Sequence, residues 1–162
     1  MTDIAMAVRP VKLDGHSTVP LDNLPHLLET AISQWNQRLE KQLAAIGMKF
    51  EQWRLLLVIA RQGPMNIREL SNLILVPHST IGRWLSQMED DGYVKRRVLP
   101  RDQRAVEVSI TPKGRNFFMR ALPIAEREYK SASHQFTQEE LNTFVDLLHK
   151  LRSNLSQQDA GR

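Results

Sequence analysis

The residues best suited to contact a nucleic acid lie on one face of a helix predicted from Pro77 to about Asp91. At helical spacing, the apolar side chains of this segment fall on one face, and its small polar and basic side chains fall on the opposite face. Arg83 on the polar face can donate two hydrogen bonds to a guanine, and the start of a helix favours contact with a phosphate. The candidate DNA contacts on or beside this face are His78, Ser79, Thr80, Gly82, Arg83 and Ser86.

Gly82 interrupts this polar face and admits two interpretations. A glycine inside a helix costs about 1 kcal/mol of stability relative to alanine. On a reading face it would let the backbone approach DNA closely. On a solvated face it would simply be tolerated, and the sequence alone leaves both interpretations open.

Positive charge is concentrated just after this helix. Five of residues 95–104 are basic and one, Asp102, is acidic. Arg101 and Arg104 flank the centre of the segment, and arginines in such loops can enter a narrow minor groove. Asp102 is expected to pair with one of these two arginines. A basic hairpin that contacts only solvent is the alternative interpretation.

The sequence offers no catalytic, cofactor or metal site. The chain has no cysteine, which excludes disulfides, thiol nucleophiles and thiolate zinc sites. Its five histidines show no spacing typical of metal ligands, and no glycine-rich phosphate loop or nucleophile motif is present. We therefore predict a protein that is not an enzyme and binds no cofactor or metal.

Periodicity and capping signals predict three helices ahead of the reading helix. A long amphipathic helix covers residues 24 to about 47, and a mostly apolar helix covers about 50–61. Asn66 and Glu69 have the spacing of a capping box that opens a short helix. Pro77 then starts the reading helix after a tight connection.

Beyond the reading helix, alternation predicts a β-hairpin. Residues 93–98 and 105–110 alternate in the manner of strands, with a tip at 99–104. Thr111 followed by a proline is typical of a helix start, so a helix should follow the hairpin directly. The order helix, short helix, turn, helix, basic hairpin is that of a winged helix-turn-helix.

The last two helices complete the chain. Pro123 inside the first of them predicts a kink. Thr137 and Glu140 form a second capping box, and an apolar stripe from Leu141 to Leu155 marks the final helix. Because the first and last helices are more apolar than one small core requires, their surplus is expected to be covered by a second chain.

Several segments together resemble the MarR family of transcription regulators. They are Asn66-Ile67-Arg68-Glu69-Leu70-Ser71, His78-Ser79-Thr80-Ile81-Gly82-Arg83, Asp91-Gly92-Tyr93-Val94, Arg97, Asp102-Gln103-Arg104 and Ile110-Thr111-Pro112-Lys113-Gly114. The resemblance extends over about residues 24–155. It implies a homodimer with interlocking terminal helices, binding of near-palindromic double-stranded DNA, and repression relieved by a small molecule. It also adds Arg68, Arg97 and Gln103 to the candidate DNA contacts.

The resemblance further implies a ligand cleft between the dimerisation helices and the DNA-binding lobe. Its candidate ligand-binding residues are His26, Trp35, Phe50, Trp53 and Arg54. Packing in the core is the alternative interpretation for each aromatic residue. The chain departs from the family pattern at Lys49, Leu75 and Pro77, where a threonine cap, a glycine and a serine-type cap are usual.

The expected fold class is mainly α with a small β-hairpin wing, a winged helix-turn-helix with N- and C-terminal dimerisation helices. The predicted divisions are a mobile N-terminal arm at 1–22, a helical dimerisation region at 23–47 and 115–156, a winged helix-turn-helix DNA-binding lobe at 48–114 and a flexible tail at 157–162.

Composition agrees with a DNA-binding protein without proving one. The formal net charge is +4 at pH 7, which suits a polyanionic partner. No apolar run is long enough for a membrane helix or a secretory signal, so a cytoplasmic protein without a membrane partner is expected. A winged helix that docks another protein is the competing function, and the sequence does not decide between a repressor and an activator.

Overall fold

The computed structural model describes residues 10–13, 17–20, 24–99 and 102–159. Within these residues the chain forms six helices and two small sheets. The helices are α1 Leu24–Ala44, α2 Phe50–Gln62, α3 Ile67–Ile74, α4 His78–Asp90, α5 Pro112–Ser133 and α6 Gln138–Asp159. The strands are β1 Pro10–Leu13, β2 Ser17–Pro20, β3 Met65–Asn66, β4 Val94–Leu99 and β5 Asp102–Ile110. The expected fold class, mainly helical with a small wing sheet, is confirmed.

Side chains that bond to the backbone fix where three of the helices begin. The Asn66 side chain accepts a hydrogen bond from the Glu69 amide at 2.9 Å, and the Glu69 carboxylate accepts one from the Asn66 amide at 2.8 Å. Thr137 and Glu140 make the same reciprocal pair ahead of α6. Both predicted capping boxes are therefore present. The Thr111 hydroxyl, predicted to open α5, accepts a hydrogen bond from the Gly114 amide at 3.0 Å.

The chain divides into two compact units, and the division falls within α5, after Ile124. The first unit contains the core that holds the helix-turn-helix. Helix α2 packs with α3, α4 and β5, as expected for a central buried helix. Side chains in this unit that are almost completely buried include Leu43, Leu55, Leu56, Ile59, Leu70, Ile81, Leu85, Met88 and Val108. Because such cores are close-packed, they fix the position of α4.

The wing is part of a three-stranded antiparallel sheet in the order β3–β5–β4. Strand β4 ends at Leu99 and β5 begins at Asp102, so the connection is shorter than the predicted tip at 99–104. A register shift lies between Val98 and Leu99. The two-residue strand β3 was not predicted, because Met65 and Asn66 become a strand only by pairing with distant residues of β5.

Gly114 allows the start of α5 to pack closely against the backbone at Tyr93. A side chain at this position would collide with the backbone carbonyl of Tyr93. The Thr111 hydroxyl donates to the Gly92 carbonyl at 2.7 Å, and Gly92 itself has a positive φ of 73°. The motif from Thr111 to Gly114 therefore connects α5 tightly to the segment between α4 and β4.

The two chain ends differ from expectation in their secondary structure. Strands β1 and β2 pair antiparallel, with Val11 opposite Val19, in the segment that was predicted to be a mobile arm. Helix α6 continues to Asp159, three residues into the predicted tail. Mobility of the arm at 1–22 and of the tail at 157–162 stays a prediction. No helix in the described part of the chain is long and apolar enough to cross a bilayer.

Candidate nucleic-acid interface

Helix α4 has one side in the core and one side toward solvent. Ile81 and Leu85 are completely buried and Met88 is nearly so. Ser79 and Arg83 on the opposite face are exposed. The predicted separation of an anchored face from a polar face is therefore present in the structure. A helix held in this way can enter a major groove without losing its place in the core.

The other candidate DNA contacts on the helix-turn-helix differ in solvent exposure and in their hydrogen bonds within the protein. Arg68 on α3 and His78 at the start of α4 are exposed, whereas Thr80 is half-buried. The Ser86 hydroxyl donates to the Gly82 carbonyl at 3.0 Å, so its proton is used within the helix. A side chain at Gly82 would meet nothing within 4 Å. Packing within the chain therefore does not require glycine there.

The wing presents one candidate contact within the described side chains. Arg97 on β4 is exposed. Arg101, Gln103 and Arg104 lie outside the residues whose side chains are described. Their expected contacts with DNA, and the expected pairing of Asp102, stay predictions.

Arg96 belongs to the basic run but is paired within the protein. Its guanidinium contacts the Glu89 carboxylate at 2.6 Å, and its amide donates to the same carboxylate at 2.9 Å. Partial burial alone would raise the pKa of Glu89, but the two hydrogen bonds and the charge of Arg96 together lower it. Sequence reasoning did not find this pair, which joins the end of α4 to the wing. The charge signal was available, since Glu89 begins a short acidic run.

The turn between α3 and α4 contains a residue in an unusual backbone conformation. Leu75 has φ 57° and ψ 46°, a left-handed conformation that favours glycine. Its side chain is 87% exposed, so no burial of the side chain offsets the strain. Arg54 of α2 donates a hydrogen bond to the carbonyl of Ile74 at 2.6 Å. This carbonyl, at the C-terminal end of α3, therefore has a hydrogen-bond partner. Burial lowers the pKa of Arg54 from its ordinary value.

The candidate ligand-binding residues have separate places in the structure. Trp53 is buried and its ring stacks on Phe118, with centroids 5.2 Å apart, so its core interpretation is supported. Phe50 is half-buried with the Arg54 guanidinium 6.0 Å from its ring centroid. On α1, Trp35 is half-buried and His26 is exposed. A ligand site formed by these residues stays a prediction.

No group of three or more potential metal ligands occurs among the described residues. The arrangement in this part of the chain is an anchored helix with an exposed polar face, followed by a paired wing. This arrangement is suited to binding a groove and a phosphate backbone rather than to catalysis.

Comparisons of the sequence and of the fold with known proteins point to one family of transcription regulators. The sequence profile of the MarR family matches residues 46–105. The chain is 29% identical over 100 residues to the homoprotocatechuate degradative operon repressor of Escherichia coli, covering 62% of this chain and 68% of that protein. A MarR family transcriptional regulator from Silicibacter pomeroyi has a TM-score of 0.73 at 28% identity, covering 80% of this chain and 88% of that one.

A structure of mutant MarR from Escherichia coli complexed with operator DNA is similar in fold. Its TM-score is 0.72 at 22% identity, and the similarity covers 79% of this chain and 92% of that one. The profile match begins within the α1–α2 connection and ends within β5, and so includes both helices of the helix-turn-helix.

Proposed function

Since the chain belongs to the MarR family of winged helix-turn-helix transcription regulators, we propose that it is a repressor that binds a near-palindromic operator as a homodimer. It is a DNA-binding regulator and not an enzyme. The observation that carries the proposal is α4, which is anchored by Ile81 and Leu85 while Arg83 faces solvent. The cytoplasm, where the operator lies, is the proposed location.

Repression is supported by the similarity to a protein named as an operon repressor. A dimer that covers an operator blocks the promoter by occupying it, and this needs no further surface on the protein. Release by a small aromatic ligand would then restore transcription. That step is supported by the same relative, whose name refers to the degradation of homoprotocatechuate, an aromatic acid.

Homodimerisation is supported by exposed apolar side chains on two helices. On α1, Leu24, Leu27 and Ile32 are each about half exposed. On α6, Val145 is about half exposed and Leu155 is 60% exposed. Monomeric proteins rarely expose contiguous apolar patches larger than a few hundred Å², and in a symmetric dimer an apolar patch of one copy can cover the same patch of the other.

The decisive experiment measures binding of the purified protein to the DNA upstream of its own gene. Random duplex of equal length is the comparison, and both are titrated across a salt series because phosphate contacts weaken steeply with salt. We expect a large preference for the upstream DNA that persists at physiological salt. Weak binding without preference would instead favour a winged helix that docks another protein.

Arg83→Ala tests whether α4 reads bases. We expect a loss of about 1–3 kcal/mol on the upstream DNA and a smaller loss on random duplex, because a bidentate contact to guanine is lost. Arg61→Ala, which removes an exposed arginine at the end of α2, is the matched control. Equal losses on both duplexes would show that Arg83 contacts the DNA phosphate backbone rather than a base.

Once the operator is mapped, its spacing tests the dimer. Two copies of α4 related by a twofold axis read half-sites about one helical turn apart. Inserting five base pairs between the half-sites places them on opposite sides of the duplex. We expect this insertion to abolish tight binding, whereas a protein that binds as a monomer would tolerate it.

A further inference from the structure

The turn between α3 and α4 sets the direction in which α4 leaves the helix pair. Leu75, its first residue, has φ 57° and ψ 46°, a left-handed conformation that is unfavourable for a residue with a Cβ atom. Its side chain is 87% exposed, so packing of that side chain does not offset the cost. Contacts of the neighbouring backbone therefore have to hold the turn in this conformation.

The peptide group that joins Ile74 to Leu75 is held at both of its polar ends. Its N–H, the amide of Leu75, donates to the Ser71 carbonyl within the same segment. Its carbonyl, that of Ile74, accepts a hydrogen bond of 2.6 Å from Nη2 of Arg54, twenty residues earlier on α2. Because a peptide group is planar, bonds at its two ends fix the orientation of the plane from which the φ angle of Leu75 is measured.

Val76, the next residue of the turn, is held by α3 itself. The Ser71 hydroxyl donates to the Val76 carbonyl at 2.6 Å, and the Val76 amide donates to the Ser71 carbonyl at 3.3 Å. These bonds move with α3, because they begin and end within residues 71–76. The bond of Arg54 is different, since it ties the turn to α2, whose neighbouring residue Leu55 is completely buried in the core.

The charge of Arg54 suits its position beside the end of α3. Residues 71–74, the last turn of α3, contain no charged side chain, and the C-terminal end of a helix carries partial negative charge. Arg54 supplies a positive charge from the neighbouring helix, and a charged donor makes a stronger hydrogen bond than a neutral one. Its guanidinium carbon also lies 6.0 Å from the ring centroid of Phe50, one turn earlier on α2, and this cation–π contact helps to keep the side chain in place.

We propose that Arg54 is a positioning residue for DNA recognition: it holds the strained turn at Leu75 and thereby fixes the direction of α4. Base contacts require the reading side chains to be held within about 0.5 Å of the right geometry, and sequence is read through base contacts rather than through phosphate contacts. Loss of the Arg54 bond should therefore weaken binding to the operator more than binding to random DNA.

The effect of Arg54 on DNA binding rests on the proposed function, whereas its restraint on the turn does not. The role needs no small molecule, and so it differs from the ligand contact that the resemblance implies for Arg54. Arg54 acts through the backbone of the turn and not by touching DNA.

The restraint on the turn is tested by amide hydrogen exchange of the full-length protein without DNA. Arg54→Met keeps a long side chain but removes the charge and the donors. We expect exchange at the amides of Leu75 and Val76 to become about tenfold faster, while exchange at Leu56 in the middle of α2 stays the same. A general loss of stability would instead accelerate exchange at Leu56, because a buried helix opens only when the core opens.

Three further variants separate the charge, the position and the strain. Arg54→Lys retains the charge and a donor, and should keep most of the protection at Leu75. Arg61→Met removes an exposed arginine from the end of the same helix, and should leave exchange in the turn unchanged. Glycine adopts a φ of 57° without strain, so in a Leu75→Gly background Arg54→Met should accelerate exchange at Val76 about threefold rather than about tenfold. If circular dichroism shows that Arg54→Met is unfolded, Arg54→Gln, whose side chain is polar but shorter, takes its place with the same expected results.

DNA binding then measures the consequence for recognition. The ratio of the affinities for upstream DNA and for random duplex should fall about tenfold in Arg54→Met. It should stay within about twofold in Arg61→Met, although both variants lose one positive charge and with it a similar share of any general attraction to DNA. Arg54→Lys should recover most of the ratio.

Three outcomes would overturn the inference: unchanged exchange at Leu75 and Val76 in Arg54→Met, acceleration at Leu56 as large as that in the turn, or an equal loss of DNA preference in Arg54→Met and Arg61→Met. A wild-type protein without any preference for its upstream DNA would refute the proposed function, while faster exchange confined to the turn would still establish the restraint. A preference that Arg54→Met retains in full would refute the positioning role and leave the proposed function standing.

Discussion

Helices α4 and α6 both carry apolar side chains at helical spacing along one face, but this face is buried in α4 and exposed in α6. Ile81 and Leu85 of α4 are completely buried within the chain. On α6, Phe144 and Val145 are about half exposed, and Leu155 is more exposed still. One stripe is therefore covered by the fold of a single chain, and the other is not.

The contrast between α4 and α6 shows that the signals which start a helix do not determine what covers its apolar face. Helix α6 begins with a complete capping box at Thr137, whereas α4 follows Pro77, whose side chain makes no capping bond. Yet α4 is the buried one, because α2, α3 and β4 pack against it. The stripe of α6 still has to be removed from water, and a second copy of the chain is the cover we propose.

The buried apolar face of α4 should be the most sensitive to substitution. Leu85→Ala should lower the free energy of unfolding by about 3 kcal/mol, because it removes a fully buried side chain and leaves a cavity. Urea unfolding monitored by circular dichroism measures the loss. The loss should not depend on protein concentration, because the contacts of Leu85 are within one chain.

Leu155→Ala on α6 is the matched comparison. If its side chain is covered only in a dimer, its effect on the midpoint of unfolding should grow with protein concentration, since association stabilises the folded state by mass action. A concentration-independent loss as large as that of Leu85→Ala would show that α6 is covered within the chain. That result would remove the contrast between the two helices.

Val145→Glu should break the proposed dimer. A charge placed in an apolar interface has to be desolvated, so we expect association to weaken by about 2 kcal/mol, roughly a thirtyfold rise in the dimer Kd. Analytical ultracentrifugation over a dilution series measures the change. Helix content should be kept, because glutamate is a good helix former.

Lys150→Glu is the control for this variant, since it introduces glutamate on the same helix at an exposed polar position. It should leave the dimer Kd within a few-fold of the original value. Unchanged association in Val145→Glu, or an equal effect in both variants, would count against α6 as the dimer surface.

What the sequence could predict follows the same distinction between local and distant contacts. The capping box of Asn66 and the two faces of α4 were predicted correctly, because both depend on residues within a few positions of one another. Strand β3 could not be predicted, because its residues become a strand only through pairing with β5, some forty positions away.

The candidate site shows the same limit. Arg83 was correctly placed on an exposed face by helical spacing alone. The bond of Arg54 to the Ile74 carbonyl depends on how α2 crosses α3, which periodicity does not encode. In the sequence, Arg96 is one of several charges in a basic segment, but in the structure it is paired with Glu89. Charge counting therefore overstates how many cations of the wing are available to DNA.

Gly82→Ala tests why the exposed face of α4 contains a glycine. We expect the free energy of unfolding to rise by about 1 kcal/mol, because alanine favours a helix and the added methyl group meets nothing within 4 Å. Gly47→Ala is the control: space is equally open there, but a φ of 75° makes any side chain strained, so stability should fall. A parallel loss of DNA affinity in Gly82→Ala would indicate close approach of the backbone, and unchanged affinity would indicate a tolerated glycine.

The ion pair of Glu89 with Arg96, which joins α4 to the wing, should contribute less to stability than the buried contacts do. Because the pKa of Glu89 is lowered in the folded protein, its stabilising contribution is present above the ordinary pKa of a glutamate, about 4.3, and is lost as pH falls through the lower folded value. Glu89→Gln should therefore reduce the free energy of unfolding near neutral pH by less than about 1 kcal/mol, since both side chains are partly exposed to solvent. The free energies of unfolding of the two proteins, measured against pH, should converge in acid.

Asp90→Asn, at the adjacent exposed carboxylate, serves as the control. A difference between wild type and Glu89→Gln that stayed constant from neutral pH into acid would mean that the ion pair with Arg96 does not stabilise the junction.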